Sequence, residues 1–401
     1  RYTALEQQCG CNRVQHRSLT RSPKRRYRGG SMTDQSEAPP EEPTIPGTQK
    51  PPLWQRIARG GVTLLVLGVV FGFVLPELAD YRAIADYIQG IEPFEWLLLA
   101  VFAGWFLIAY VFVFMSTLPS LRFKEGFVVQ TTATAINNSL PAGGAIALPI
   151  TYSQFLSWGF APGAVTAALL TAGVWDQLAR QALPVLAVAV IAALGEAVWW
   201  MWLVSIVGVI PVAIWIGVLT IVLRSESTAA AFGRWLNKPV NWFTKKVHRE
   251  PVDMVAATLQ FRNNVVHVAE NRWKAITVAT IANHASMAAL FVVSLRAVGV
   301  SADDVSTAWV VLAFALGRLL VMIPVSPGGL GLVDLGFIGL LTLGWGTGAN
   351  ADVLSAGVLL YRGLSYLPPI IVGLGSWVFW RANRSWRQDW QIERRGEVGA
   401  G

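Results

Sequence analysis

Ionisable residues are scarce in this chain, and cysteine and histidine are scarcer still. Charged side chains make up 14% of its 401 residues, while 54% are hydrophobic. A soluble domain carries roughly 25% charged residues. That shortfall excludes an ordinary soluble protein, and several apolar runs of about 20 residues are long enough to cross a hydrocarbon core of roughly 30 Å. The two cysteines, Cys9 and Cys11, both lie in the N-terminal tail, so no disulfide framework is implied. With His16 nearby, the Cys-x-Cys pair still lacks the four ligands of a structural zinc site. A Gly-x-Gly-x-x-Gly nucleotide loop is absent, as is any set of paired carboxylates with a nucleophile. No cofactor is implied, no metal site is expected, and the chain is not expected to be an enzyme.

What is present has the order of a polytopic all-α membrane protein. Residues 1–52 are polar and rich in proline and charge, a composition that cannot bury a core and is expected to be disordered. Met32 is the expected start, residues 1–31 reading as an upstream extension. Spans are expected near 57–76, 96–118, 162–194, 197–223, 274–298 and 351–380. A first membrane repeat with its linking span (53–223) is followed by a basic loop at 224–272, with eight Lys/Arg against four acids. A second membrane part (273–381) and a tail (382–401) close the chain; five arginines lie from Arg381 to Arg395.

Cytoplasmic loops carry the excess Lys/Arg. The rule puts the N-terminal tail, the Arg122 loop, the 224–272 loop and the C-terminal tail in the cytoplasm. The acid-rich connectors at 77–95, Glu196, Asp303–Asp304 and Asp352 go outside. Arg296 is the awkward charge, expected to snorkel to an interface. Two further segments, 126–158 and 305–345, are broken by Leu-Pro-Ala-Gly-Gly (140–144) and Ser-Pro-Gly-Gly (326–329). The sidedness of their neighbours makes each enter and leave on one face, from opposite sides. The expected fold is therefore six spans with two oppositely oriented re-entrant hairpins in an inverted repeat, a common build among secondary transporters.

Irregular backbone is tolerated at membrane depth only inside protein or beside a wet cavity. Asn137, Asn138, Pro141, Gly143 and Gly144 at the first break, and Ser326, Pro327, Gly328, Gly329 and Gly331 at the second, are thus candidates to line a central site. The half-helix after each break would offer free N–H groups to an anion. Charge within a bilayer costs at least roughly 2.5 kcal/mol and is normally partnered. The candidates are Asp176, Arg180, Arg318, Asp334 and Arg362. Asp176 and Arg180 share a helix face at the favourable acid-first spacing and equally read as a self-neutralising structural pair. Arg318 and Asp334 are placed to face each other across the second hairpin. Arg362 has no local acid on its helix and is the leading candidate for an anionic head group; Asp334 alternatively balances Arg318 or Arg362, or binds a proton. Asn283 and His284 lie within a span, where a single histidine is more often an interhelical hydrogen bonder than a proton relay.

The stretch Gly317 to Phe337, "GRLLVMIPVSPGGLGLVDLGF", with "LLYRGLSYLPPIIVG" and "NNSLPAGG", resembles the lysylphosphatidylglycerol synthase transmembrane-region family over about residues 55–385. The resemblance implies a flippase-like domain that moves a phospholipid or lipid-linked head group between leaflets, here without the soluble aminoacyl-transferase domain of some members. The family usually has Glu where this chain has Asp334, and many members place charges after the first break, where this chain reads "AIALPI". The expected partners are membrane lipids with an anionic or zwitterionic head group in the cell membrane, and alternatively a separate lipid-synthesising enzyme for which the chain is a scaffold. A membrane transferase acting on lipid-linked substrates is the further alternative. The basic loop and its aromatics fit positive-inside topology or contact with anionic lipid; nucleic acid is not an expected partner.

Overall fold

The computed structural model describes residues 81–140, 143–195, 199–246, 253–321, 329–346, 350–383 and 385–386. The N-terminal tail, the expected span at 57–76, Pro141, Glu196, Ser326, Pro327, Gly328 and the tail beyond 386 lie outside the described residues. Among the described residues the chain is all-helical: α1 (Tyr81–Gln89), α2 (Pro93–Thr117), α3 (Phe123–Ser139), α4 (Gly143–Ser157), α5 (Pro162–Ala193), α6 (Trp199–Arg224), α7 (Glu226–Lys246), α8 (Met254–Ala297), α9 (Thr307–Leu320), α10 (Leu332–Trp345) and α11 (Ala351–Ala382). Four stretches are long and apolar enough to cross a membrane: Pro93–Thr117, Pro162–Ala193, Val268–Ala297 and Ala351–Ala382. The 26-residue α6 coincides with a further stretch where the sequence places a span.

The helices turn large apolar side chains outward and bury a set of polar ones among an apolar interior. On α8, Val278 and Ile281 are 67% and 59% exposed, whereas Asn283 and His284 are buried. Leu97 and Val101 on α2 and Ile371 and Val378 on α11 face outward in the same way. Lipid tails solvate such side chains as well as another helix does, so packing and interhelical hydrogen bonds hold the bundle together. A ring cluster of Phe291, Phe314, Phe337 and Tyr361 ties α8, α9, α10 and α11; Phe291 lies 4.7 Å from Phe337 and 5.1 Å from Tyr361 between centroids.

Two helix pairs fold back on themselves. In α3–α4, Gln154 Nε2 donates to Thr132 Oγ1 at 3.4 Å. Gly143 rests directly on the end of α3, where a Cβ would lie 2.5 Å from Asn137 Cα. Only glycine permits that approach. In α9–α10, Trp309 Nε1 donates to Leu340 O at 2.9 Å, and Gly317 abuts Phe337. Both pairs are antiparallel hairpins. The chain enters α10 through Gly331 at φ 89°, a left-handed value that favours glycine.

Helix α11 docks along α3. Thr131 Oγ1 hydrogen-bonds Ser376 Oγ at 2.9 Å, and a Cβ on Gly373 would sit 2.1 Å from Thr131 O. Pro369 removes an N–H from α11 and frees the carbonyl four residues before it, that of Ser365. Asn138 Nδ2 donates to that carbonyl at 3.4 Å.

The 224–272 segment differs from the expected loop: it is largely helical, as α7 and the first third of α8. Ala-rich sequence propagates α7, and Asp253 caps α8 by accepting from the N–H groups of Val255 and Ala256 at 2.9 and 3.3 Å. Arg272 donates to the carbonyls of Met115 and Ser116 at the end of α2, at 3.2 and 3.0 Å. Arg296, in the last turn of α8, reaches onto the adjoining connector and donates to the carbonyls of Val300, Ser301 and Val305.

Candidate functional site

Where the two hairpins meet α5, α8 and α11, the bundle encloses a cavity of about 380 Å³. Its charged lining is Asp176 and Arg180 from α5, Arg318 from α9 and Arg362 from α11. Its neutral polar lining includes Gln130, Thr134, Asn137 and Asn138 from α3 and Thr151 from α4. Of the residues singled out in the sequence, Gly144 also lines the space, while Gly143 is the tight contact behind it. Gly329 and Gly331 shape the start of α10. Larger grooves exist, one of about 640 Å³ beside Phe123 and Phe379 and one of about 580 Å³ lined by the acids Asp86, Glu92 and Glu95, but neither is lined by an arginine.

The charges pair differently from the expectation. Arg362 Nε donates to Asp334 Oδ1, so the leading candidate for an unpartnered cation is neutralised by an acid from a different helix. The expected Arg318–Asp334 contact is not formed. The reason is geometric: Asp334 sits in the first turn of α10, where its Oδ2 accepts from Gly331 N–H at 2.8 Å. That position turns its other oxygen to α11 rather than back along the hairpin to α9. The same bond fills one orphan N–H of α10, so this half-helix end is already served by its own carboxylate. Arg362 is further held by donation from Nη1 to Tyr366 Oη at 3.0 Å and by the faces of Phe337 and Tyr366, 5.5 and 5.2 Å away.

On α5 the expected i,i+4 pair is formed: Arg180 Nη2 donates to Asp176 Oδ2 at 2.5 Å. The other oxygen, Oδ1, lies 3.2 Å from Nε2 of His284 on α8, within ion-pair range but not aligned as a hydrogen bond.

Arg318 stands apart. Among the described residues it makes no ion pair, and its buried Nε has no hydrogen-bond partner. Arg180 Nε and Arg362 Nη2 are likewise buried without a partner. Three guanidinium groups thus each keep an unfilled donor. Three arginines against two aspartates leave the site with one uncompensated positive charge. Buried donors of this kind cost about 1–3 kcal/mol each unless something fills them. A group with several acceptor oxygens and a negative charge, such as a phosphate, matches that deficit, and Arg is the side chain best shaped to hold it.

Sequence reasoning missed Tyr110, Tyr361, Ser365 and Tyr366, which also line the cavity. Tyr366 was signalled by its i+4 spacing from Arg362, and Tyr110 by standing as a polar group in an otherwise apolar run.

The curated proteins contain no match to this chain. The family model described as "Lysylphosphatidylglycerol synthase TM region" matches residues 62–373. That range takes in three of the four described spans whole, most of the fourth, and all of the charged cavity lining. With its outward-facing apolar helices, this chain is a membrane protein that belongs to the lysylphosphatidylglycerol synthase transmembrane-region family.

Proposed function

We propose that this protein moves a phospholipid or lipid-linked molecule with an anionic head group between the leaflets of the cell membrane. The observation that carries the reading is the charge imbalance of the cavity: three arginines with unfilled donors against two aspartates. The site lies among helices whose outer faces are apolar. A head group enters that cavity while the acyl chains remain in lipid. Arg318 is the principal contact, with Arg180 and Arg362 at its sides and Asn137 and Asn138 supplying neutral hydrogen bonds.

In this reading α3–α4 and α9–α10 are re-entrant hairpins dipping in from opposite faces, and the spans number six. The basic termini and the 224–272 segment lie in the cytoplasm. The family's association with lipid transport supports the same reading. Catalysis has no part in it.

The test is translocation of head-group-labelled phosphatidylglycerol in proteoliposomes. The readout is the leaflet accessibility of the label with time. Wild-type protein is expected to move the label well above protein-free vesicles, and a folded Arg318→Gln variant to lose at least tenfold. Movement in wild type equal to that of empty vesicles, with and without a proton gradient, overturns the proposal.

A further inference from the structure

We propose that His284 and Asp176 form a proton-binding site coupled to the head-group site, so that each anion bound in the cavity is accompanied by one proton. The inference rests on the anionic head-group reading above.

His284 is 2% exposed, and neither ring nitrogen has a hydrogen-bond partner among the described residues. A buried imidazole with both nitrogens unfilled is a costly arrangement for a purely structural side chain. Its nearest acid is Asp176, whose Oδ1 lies 3.2 Å from Nε2. Asp176 lines the cavity, so it connects the histidine to the space a ligand and its water would occupy.

Asp176 is shared. Its Oδ2 holds Arg180 at 2.5 Å, and its Oδ1 faces His284. The other ionisable groups around this part of α8 are Tyr110 on α2, Arg318 on α9, and Tyr361, Arg362 and Tyr366 on α11. Arg362 is committed to Asp334. The helix α7 meets α8 elsewhere, where Glu226 approaches Arg262 at 4.0 Å, about six turns from His284. None of these supplies a second acid to His284.

In the empty cavity, Arg180 holds Asp176. A phosphate in the cavity competes for Arg180. As the guanidinium turns toward the phosphate, Asp176 keeps its negative charge, with His284 as its nearest remaining partner and Arg318 farther off. His284 then takes a proton from the cavity water, and its Nε2–H is held by Asp176 Oδ1. A singly charged head group and one proton together add no net charge, so the cavity carries the same single positive charge before and after loading. Linkage makes the effect reciprocal: the anion raises the proton affinity of His284, and a lower pH tightens anion binding by the same factor. Histidine is the side chain whose ordinary charge change falls between about pH 5 and 8, so it is the residue type suited to such a coupling.

Two measurements on the detergent-purified full chain test it. The first needs no ligand. The four histidines are isotope-labelled and titrated by NMR, with the His284 signal identified by its loss in His284→Gln. Removing the competing cation with Arg180→Gln should raise the proton affinity of His284 roughly tenfold or more, one pH unit in the titration midpoint. An unmoved midpoint overturns the proposal. The second adds glycerophosphoglycerol, a singly charged phosphodiester with no titration of its own in this range, in weak buffer near about pH 7.5. Binding is followed by tryptophan fluorescence and proton uptake by an indicator dye. Uptake approaching one proton per bound probe is expected in wild type, with no uptake in His284→Gln. Binding without uptake overturns the coupling but leaves the head-group site standing. Absence of binding counts against the head-group site, and the Arg180→Gln titration then decides the proton site by itself.

Discussion

The second hairpin meets the cavity with Arg318, Val333 and Phe337, whereas the first meets it with Gln130, Thr134, Asn137, Asn138 and Thr151, all neutral. They differ as much in how they are held. The α9–α10 pair is fixed by the ring cluster around Phe337, by Trp309 on Leu340 O, and by Asp334, which caps α10 and pairs with Arg362 at once. The α3–α4 pair meets the cavity with no charged side chain. It lies against α11 through close approach and neutral hydrogen bonds: Gly373 on Thr131, Thr131 with Ser376, Asn138 with Ser365 O, and Trp380 Nε1 donating to Ser157 Oγ at 3.0 Å; Phe155 packs edge-on against Phe114 of α2. Polar seams of this kind are worth about 0.6 kcal/mol per hydrogen bond in membrane bundles. One hairpin is therefore a braced wall carrying the site's cation. The other is an uncharged wall, packed by close helix approach and neutral hydrogen bonds, that offers neutral donors and acceptors to the cavity.

The strongest way to break this contrast is to unbrace the second hairpin. Asp334→Asn leaves Arg362 buried without its anion and weakens the cap on α10, and should cost about 3–5 kcal/mol. The loss would be read as a large fall in thermal unfolding temperature in detergent. Asp176→Asn, beside the open cavity with 17% of its side chain exposed, should cost clearly less. Equal losses at the two aspartates would remove the distinction.

A smaller effect is expected at the seam of the first hairpin. Gly373→Leu forces a side chain against the backbone of Thr131, where no flexible atom can yield. Overpacking of this sort costs about 1–3 kcal/mol and should separate α3 from α11. A cysteine pair across the seam, at Thr131 and Ser376, would cross-link less efficiently in that background. Unchanged cross-linking would show that the contact is not close in the folded protein.

Smallest is Asn138→Ala. It strips the donor from Ser365 O, a carbonyl already freed by Pro369, and should cost about 1 kcal/mol. Restoring the backbone N–H with Pro369→Ala in the same chain should recover most of that loss, because the carbonyl then regains its own helix partner. Additive losses in the double variant would refute this use of Asn138.

The general form of this molecule was legible in its composition. Low charge and long apolar runs gave the membrane class, and Pro-Gly-Gly gave the two breaks; the residues flanking them line one cavity. The Asp176–Arg180 pair was legible because i,i+4 spacing is local. The partner of Arg362 was not. It depends on how the first turn of α10 lies against α11, a tertiary relation that no spacing along one helix encodes. With Asp334 left open between Arg318, Arg362 and a proton, the unpartnered cation was looked for at Arg362 when it stands at Arg318. The helical nature of 254–272 was obscured by its charge, since a basic polar stretch reads as a loop until its cap at Asp253 is seen.

The central claim is that an unbalanced cation in the cavity selects a negatively charged head group. The most direct measurement is the ratio of translocation rates for labelled phosphatidylglycerol and labelled phosphatidylcholine in the same proteoliposomes, for wild type and Arg318→Gln. The account predicts a ratio of at least about ten in wild type, equivalent to about 1.4 kcal/mol of discrimination, falling to near one when Arg318 is neutralised. A wild-type ratio near one, or a high ratio that survives Arg318→Gln in a folded protein, would contradict it.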